Sequence, residues 1–184
     1  MFNPQQQSDI EQIVRQMLAT GITDKKVGDT PLEDYDLTNK KYVDANSGVS
    51  IYGRSHASGS TSVSGGYSAI KVTLAANDFV SGITWDAVNY RFTCLKAGTY
   101  LVCGSISFYN TTDGDPYVIM FYKNGSEVTE CRQTAGGTSV LTMPNITDVM
   151  ELNVGDYVEL WAMSLPSSTV LSSAISTFLS IAKI

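Results

Sequence analysis

The sequence predicts a mainly β protein, a β-sandwich carrying a short N-terminal helical segment. Three observations predict it. From residue 49 onward, apolar residues recur with period two in many short runs. Turn-forming Asn, Asp and Gly separate those runs at regular intervals. The helical period of 3.6 is confined to one stretch near the start. The chain therefore divides into an amphipathic helix at 1–24, a collar or connector at 25–48 and a sandwich at 49–184.

The first element is a helix over residues 8–20. Ser8 with Glu11 three residues on forms a capping box, which satisfies the free N–H groups of a first turn. Ile10, Ile13, Val14, Met17 and Leu18 fall on one stripe, and Gly21 is a stop signal. A lone helix of this length is marginal in water, so its stripe needs a surface to rest on. That surface is its own domain, other copies around a threefold axis, or a partner shell; anchoring or trimerisation is the favoured pair. The connector is rich in turn formers, and Asp36 or Thr38 can cap a short helix through Lys40, Lys41, Tyr42 and Val43.

The sandwich strands are expected at Ser50–Arg54, Ala69–Leu74, Tyr90–Leu95, Gly98–Tyr109, Tyr117–Lys123, Glu127–Gln133, Ser139–Thr147, Tyr157–Met163 and Ile175–Ile184. In the fourth run Leu101, Cys103 and Ser105 take one face and Tyr100, Val102, Gly104 and Ile106 the other. Both sets are small or apolar, as when both faces are covered. Asn124-Gly125 supplies the positive φ pair of a type I′ hairpin, and Val154-Gly155-Asp156 is a second turn. Residues 56–66 read as a low-complexity loop, and Asn77, Asp78, Gly82 and Asp86 as punctuation.

Two resemblances follow from particular residues. Tyr90-Arg91-Phe92, Gly98-Thr99-Tyr100-Leu101-Val102, Phe121-Tyr122-Lys123-Asn124-Gly125, Leu152 through Leu160 and Ser176 through Ile181 occur in the order and spacing of a known domain. The block resembles the tumour-necrosis-factor superfamily in its complement globular-head variant. This implies a jelly roll that trimerises by packing aromatic and apolar strand faces around a threefold axis. Position 180 is Ser where the family's last strand carries Gly. Upstream, Leu37-Thr38-Asn39-Lys40-Lys41-Tyr42-Val43-Asp44 resembles a segment near the start of phage fibre and head-fibre proteins. There a short N-terminal element anchors to the virion and the C-terminal domain projects outward. The trimer-interface candidates that follow are Tyr100, Tyr117, Phe121, Tyr122, Trp161 and Phe178.

Chemistry is sparse. The single histidine, His56, falls in the expected loop, where a solvated role is expected. No Gly-x-Ser-x-Gly elbow or phosphate-cradling loop is present, so the chain reads as non-enzymatic and without cofactor. Asp113 and Asp115 flank Gly114; they form a turn, or offer oxygen ligands to calcium, which complement-head domains hold near the apex. Tyr109, Tyr117 and Tyr122 either stack on a glycan or belong to core and interface. Cys94, Cys103 and Cys131 are an odd set at irregular spacing, which reads as free thiols acting as small hydrophobes in a reducing cytoplasm.

Composition narrows the partners. Charged residues are 16% of the chain, against a usual ~25%. Surfaces that pack against copies of themselves favour neutral residues, because burying an unpaired charge is costly. With a net charge of −6 and only the basic pairs Lys25-Lys26 and Lys40-Lys41, neither nucleic acid nor an anionic membrane is an expected partner. The N-terminus shows no basic segment leading into an apolar run, and no apolar stretch reaches the ~18 residues of a spanning helix. The expected role is a homotrimeric head fibre or capsid decoration protein, assembled in the host cytoplasm and located on the virion. Its partners would be the phage capsid or another virion protein. The alternative is a tail-fibre or tail-tip protein that recognises a host surface glycan or protein.

Overall fold

The computed structural model describes residues 50–184. The expected helix with Ile10, Ile13, Val14, Met17 and Leu18, and the connector after it, lie outside the described residues.

Strands β1 (Tyr52–Ala57), β4 (Ala76–Ser81), β7 (Gly98–Ser105), β11 (Asn145–Leu152) and β14 (Ser173–Lys183) form one sheet in the order β11-β7-β14-β1-β4. A second sheet takes β5 (Ile83–Asp86), β6 (Arg91–Cys94), β9 (Pro116–Lys123), β10 (Ser126–Thr134) and β12 (Tyr157–Ser164) in the order β10-β9-β12-β6-β5. The short β3 (Ile70–Lys71) pairs with β12 beside it. At one end β2 (Thr61–Val63), β13 (Ser168–Val170) and β8 (Phe108–Tyr109) make a small third sheet. All pairings are antiparallel; every neighbour in the first sheet is non-consecutive in the chain, whereas the second sheet joins the consecutive pairs β9–β10 and β5–β6 across β12.

Alternation explains which residues fill the space between the sheets. Tyr100 and Val102 of β7, Leu179 and Ile181 of β14, Tyr117, Ile119 and Phe121 of β9, and Val158, Leu160 and Ala162 of β12 point inward and are buried. The sheets approach closely where β7 has no side chain: a Cβ at Gly104 would meet the Phe121 ring at 2.9 Å and Leu160 at 3.0 Å. The departure at Ser180 is harmless to packing. Its hydroxyl lies on the outer face and donates to the Cys103 carbonyl, while its neighbours Leu179 and Ile181 carry the burial.

The turns follow their residues. Asn124 and Gly125 have φ of 53° and 79°, the left-handed pair of a type I′ turn, and Lys123 faces Ser126 across it. Asp156 fastens this hairpin to the next turn. Its carboxylate accepts from Asn124 Nδ2 at 2.8 Å and from the Asn153 N–H at 2.8 Å, and Lys123 Nζ stands 3.1 Å away.

Several expectations require correction. The first strand runs to Ala57, so His56 lies within it, and the expected loop also contains β2. Residues read as punctuation form β4 and β5, with Gly82 at φ 62° carrying the chain from one sheet to the other. β4 is an edge strand, where polar side chains such as Asn77 and Asp78 are admissible because one side meets solvent. The run expected at Ser139–Thr147 is displaced to Asn145–Leu152. Within the observed strand the Asp148 carboxylate accepts from Thr129 Oγ1.

Candidate functional site

The outer faces of the two large sheets differ in chemistry, and the difference follows from register. Across the five-stranded sheet, Val149 faces Leu101, Leu101 faces Ala182, Ala182 faces Tyr52, and Tyr52 faces Ser81. The next outward row reads Thr147, Cys103, Ser180, Arg54, Phe79. The first row holds no charged side chain, and the second holds one. Between the rows lies a groove of about 230 Å³ lined by Tyr52, Phe79, Leu101, Cys103, Ser180 and Ala182 among others. Tyr52 and Phe79 meet edge to face, ring centroids 5.6 Å apart, and remain 41% and 49% exposed. Large apolar groups left open beside a row of small ones form a surface suited to covering by another surface.

One end of this face is polar. Asp78 of β4 accepts from the Arg54 guanidinium through one oxygen and lies 2.7 Å from His56 Nδ1 through the other. Arg54 also donates to the Ala174 carbonyl and lies 4.5 Å above the centre of the Phe178 ring. His56 is thus a strand residue held by a carboxylate, which corrects its expected place in a solvated loop.

The outer face of the six-stranded sheet carries most of the charge. Glu159 is 3% exposed; Lys71 Nζ holds one oxygen at 2.7 Å and Trp161 Nε1 donates to the other at 3.0 Å. Trp161 stacks on Tyr122 with centroids 4.4 Å apart and an 18° interplanar angle. Burial first, then the nearby Glu127 charge, raises the Tyr122 phenol above its ordinary range. Arg91 lies 4.1 Å over the Tyr157 ring and 3.4 Å from Asp86.

The expected interface residues separate into three groups. Tyr100, Tyr117 and Phe121 are fully buried between the sheets of a single chain, so they have no surface to offer a second copy. The Tyr100 hydroxyl donates to the Lys96 carbonyl at 2.6 Å, and the Tyr117 oxygen accepts from the Thr112 N–H at 2.7 Å. Burial, reinforced by Cys94, raises the Tyr100 phenol far above its ordinary range. Tyr122 and Trp161 occupy the charged outer face. Phe178 alone of the six stands on the neutral face, across from Ser105 and His56.

Sequence reasoning missed Tyr52, Phe79, Ala182 and Val149 on that face. The available signal was β14, whose outward positions Ser176, Phe178, Ser180 and Ala182 carry no charge. Asp113 and Asp115 lie in a turn closed by an Asp115 N–H to Thr112 carbonyl bond of 3.2 Å. Among the described residues, no group of three or more His, Cys, Asp and Glu side chains is placed to hold a metal.

No protein-family model and no curated protein matches the chain. Solved structures do. Eiger TNF from S. frugiperda superposes with a TM-score of 0.59 at 14% identity, over 74% of this chain and 94% of that one. Murine APRIL at pH 5.0 gives 0.57 at 16% identity, over 73% and 99%. Murine APRIL at pH 8.5 gives 0.54 at 15% identity, again over 73% and 99%. The domain therefore has the tumour-necrosis-factor-like jelly-roll fold.

Proposed function

We propose that this chain is a non-enzymatic, homotrimeric structural component of a bacteriophage virion, a head fibre or capsid decoration protein. The jelly roll self-associates through the outer face of its five-stranded sheet, and the N-terminal segment attaches the trimer to the particle. The observation that carries the association is the uncharged row from Val149 through Leu101, Ala182 and Tyr52 to Ser81, with its groove beside it. The fold supports it, because domains of the resembled family trimerise through strand faces. The segment Leu37–Asp44 supports the virion assignment by its resemblance to phage fibre proteins.

Sedimentation velocity at micromolar concentration tests the oligomer: a trimer is expected, and a clean monomer would refute it. Removal of residues 1–24 tests the attachment. A truncated trimer that no longer decorates particles in electron micrographs supports an anchor, whereas full decoration by the truncated protein opposes it.

A second reading is a tail-tip protein that recognises a host glycan or protein. The Tyr122–Trp161 pair with Glu159 and Lys71 favours it, since this aromatic and charged face stays open when the neutral face is covered. Gold labelling at the tail, together with binding of the isolated domain to host cells, would select that reading.

A further inference from the structure

The cluster of Arg54, His56 and Asp78 sits at one end of the face assigned to self-association, and its charge depends on a single imidazole. We infer that His56 is an acid-sensitive release switch for the assembly: its protonation weakens the association of subunits through the five-stranded sheet. The inference rests on the trimer reading and adds its regulation.

Register fixes the surroundings of His56. On β1, Tyr52, Arg54 and His56 alternate along the same outward face as the groove. Across β1 on one side stands β4, whose titratable residue is Asp78, bonded to both Arg54 and His56. On the other side stands β14, which presents Phe178 directly opposite His56 and Ser180 opposite Arg54. The titratable residue of β14, Lys183, lies at its far end and donates to the Ala97 carbonyl. Beyond β14, β7 contributes Ser105 and the thiol of Cys103, and at the far edge β11 contributes Glu151, which accepts from Thr99. Asp78 is thus the carboxylate facing His56, and Arg54 already occupies it.

The charge count decides the sign. With a neutral imidazole the cluster sums to zero, Arg54 against Asp78. Protonation leaves one uncompensated positive charge per subunit. In a separate subunit that charge meets water, because the three side chains remain 19% to 24% exposed. In the assembly the face is covered, so the extra charge would lose that water with no opposite charge to offset it, which is costly. Protons therefore bind the separated subunit more readily, and lowering the pH drives release. Histidine changes charge between about pH 5 and pH 8, a window above ordinary carboxylate titration and below ordinary thiol titration.

Sedimentation velocity at about pH 7.5 and about pH 5 compares each protein with itself. The wild type is expected to lose at least about tenfold in subunit affinity at the lower pH, the effect of covering one unpaired charge per subunit. His56→Asn keeps a donor near the place of Nδ1 and cannot titrate, so its affinity should not move between the two conditions. Asp78→Asn leaves Arg54 unopposed and should show weakened association already at the higher pH. Far-ultraviolet circular dichroism should report an intact β-sandwich for the wild type in both conditions. A wild-type trimer unmoved by acid overturns the switch, as does His56→Asn dissociating like the wild type, or loss of the strand signal at the lower pH. A monomer at the higher pH overturns the trimer reading itself.

Discussion

A methyl group added at Gly53 would stand 2.5 Å from Cε1 of Phe92, a ring packed against Trp85 with centroids 4.7 Å apart. The ring has nowhere to move, since Phe92 is 1% exposed in the centre of the core. Gly53→Ala is therefore expected to cost about 1–3 kcal/mol, the usual penalty for overpacking a filled interior. Urea unfolding would show it as a lower midpoint with an unchanged slope. Asp156 predicts a pH dependence instead. Its carboxyl is held down to about 2, first by the Asn153 N–H, then by the Asn124 amide and Lys123. A depressed carboxyl contributes stability above its unfolded value of 3.8 and loses that contribution as the pH falls toward about 2. Thermal melts of Asp156→Asn should thus lie below the wild type at neutral pH. The gap between the two should narrow as acid protonates the wild-type carboxyl.

At the scale of elements, the hairpin between β9 and β10 shows what local sequence can determine. Asn-Gly demands two left-handed residues, and no tertiary information is needed to place the turn. Gly125→Ala has open space around its new methyl, whose nearest atom is the Tyr157 hydroxyl at 3.5 Å, but it keeps a φ of 79°. The expected loss is about 1–2 kcal/mol from backbone conformation alone, read from the shift in melting temperature. Of the strands read from sequence, β7 and β14 bury alternate residues, whereas β9 is buried on both faces from Tyr117 through Phe121 and β12 at Val158, Glu159 and Leu160; the run expected at Gly98–Tyr109 breaks after Ser105. β4 was illegible for a physical reason. Its polar residues are satisfied by partners far along the chain, Asp78 by Arg54 and His56, and a window of neighbouring residues cannot reveal them. Facing was the harder problem for the candidate site. Alternation separates Phe121 from Tyr122, but only the stacking order of the sheets decides which of the two points into the core. Phe121 does, and Tyr122 points away from the neutral face altogether.

For the whole molecule, the decisive feature is the asymmetry between the outer faces. Lys71, Asp86, Arg91 and Glu159 gather on the six-stranded sheet, while the five-stranded sheet presents Leu101, Cys103, Ala182 and Tyr52 around a groove. Burying that neutral row against other copies removes apolar area from water without stranding charge, at roughly 25 cal/mol per Å² before the cost of ordering the subunits. Leu101→Asp places a carboxylate in the centre of the row, where covering it by another subunit requires its desolvation. The sandwich itself should tolerate the change, because Leu101 points outward while its neighbours Tyr100 and Val102 carry the burial. Cys103 then serves as a reporter in the same groove. The assembled wild type should react slowly with a maleimide at Cys103. The Leu101→Asp variant should sediment as a folded monomer and react there at least about tenfold faster, as expected for a thiol whose cover has gone. Peptide mapping by mass spectrometry separates this thiol from Cys131 and from Cys94, whose sulfur is buried beside the Tyr100 hydroxyl at 3.4 Å. Equal reactivity at Cys103 in the two proteins would mean that subunits meet through some other surface.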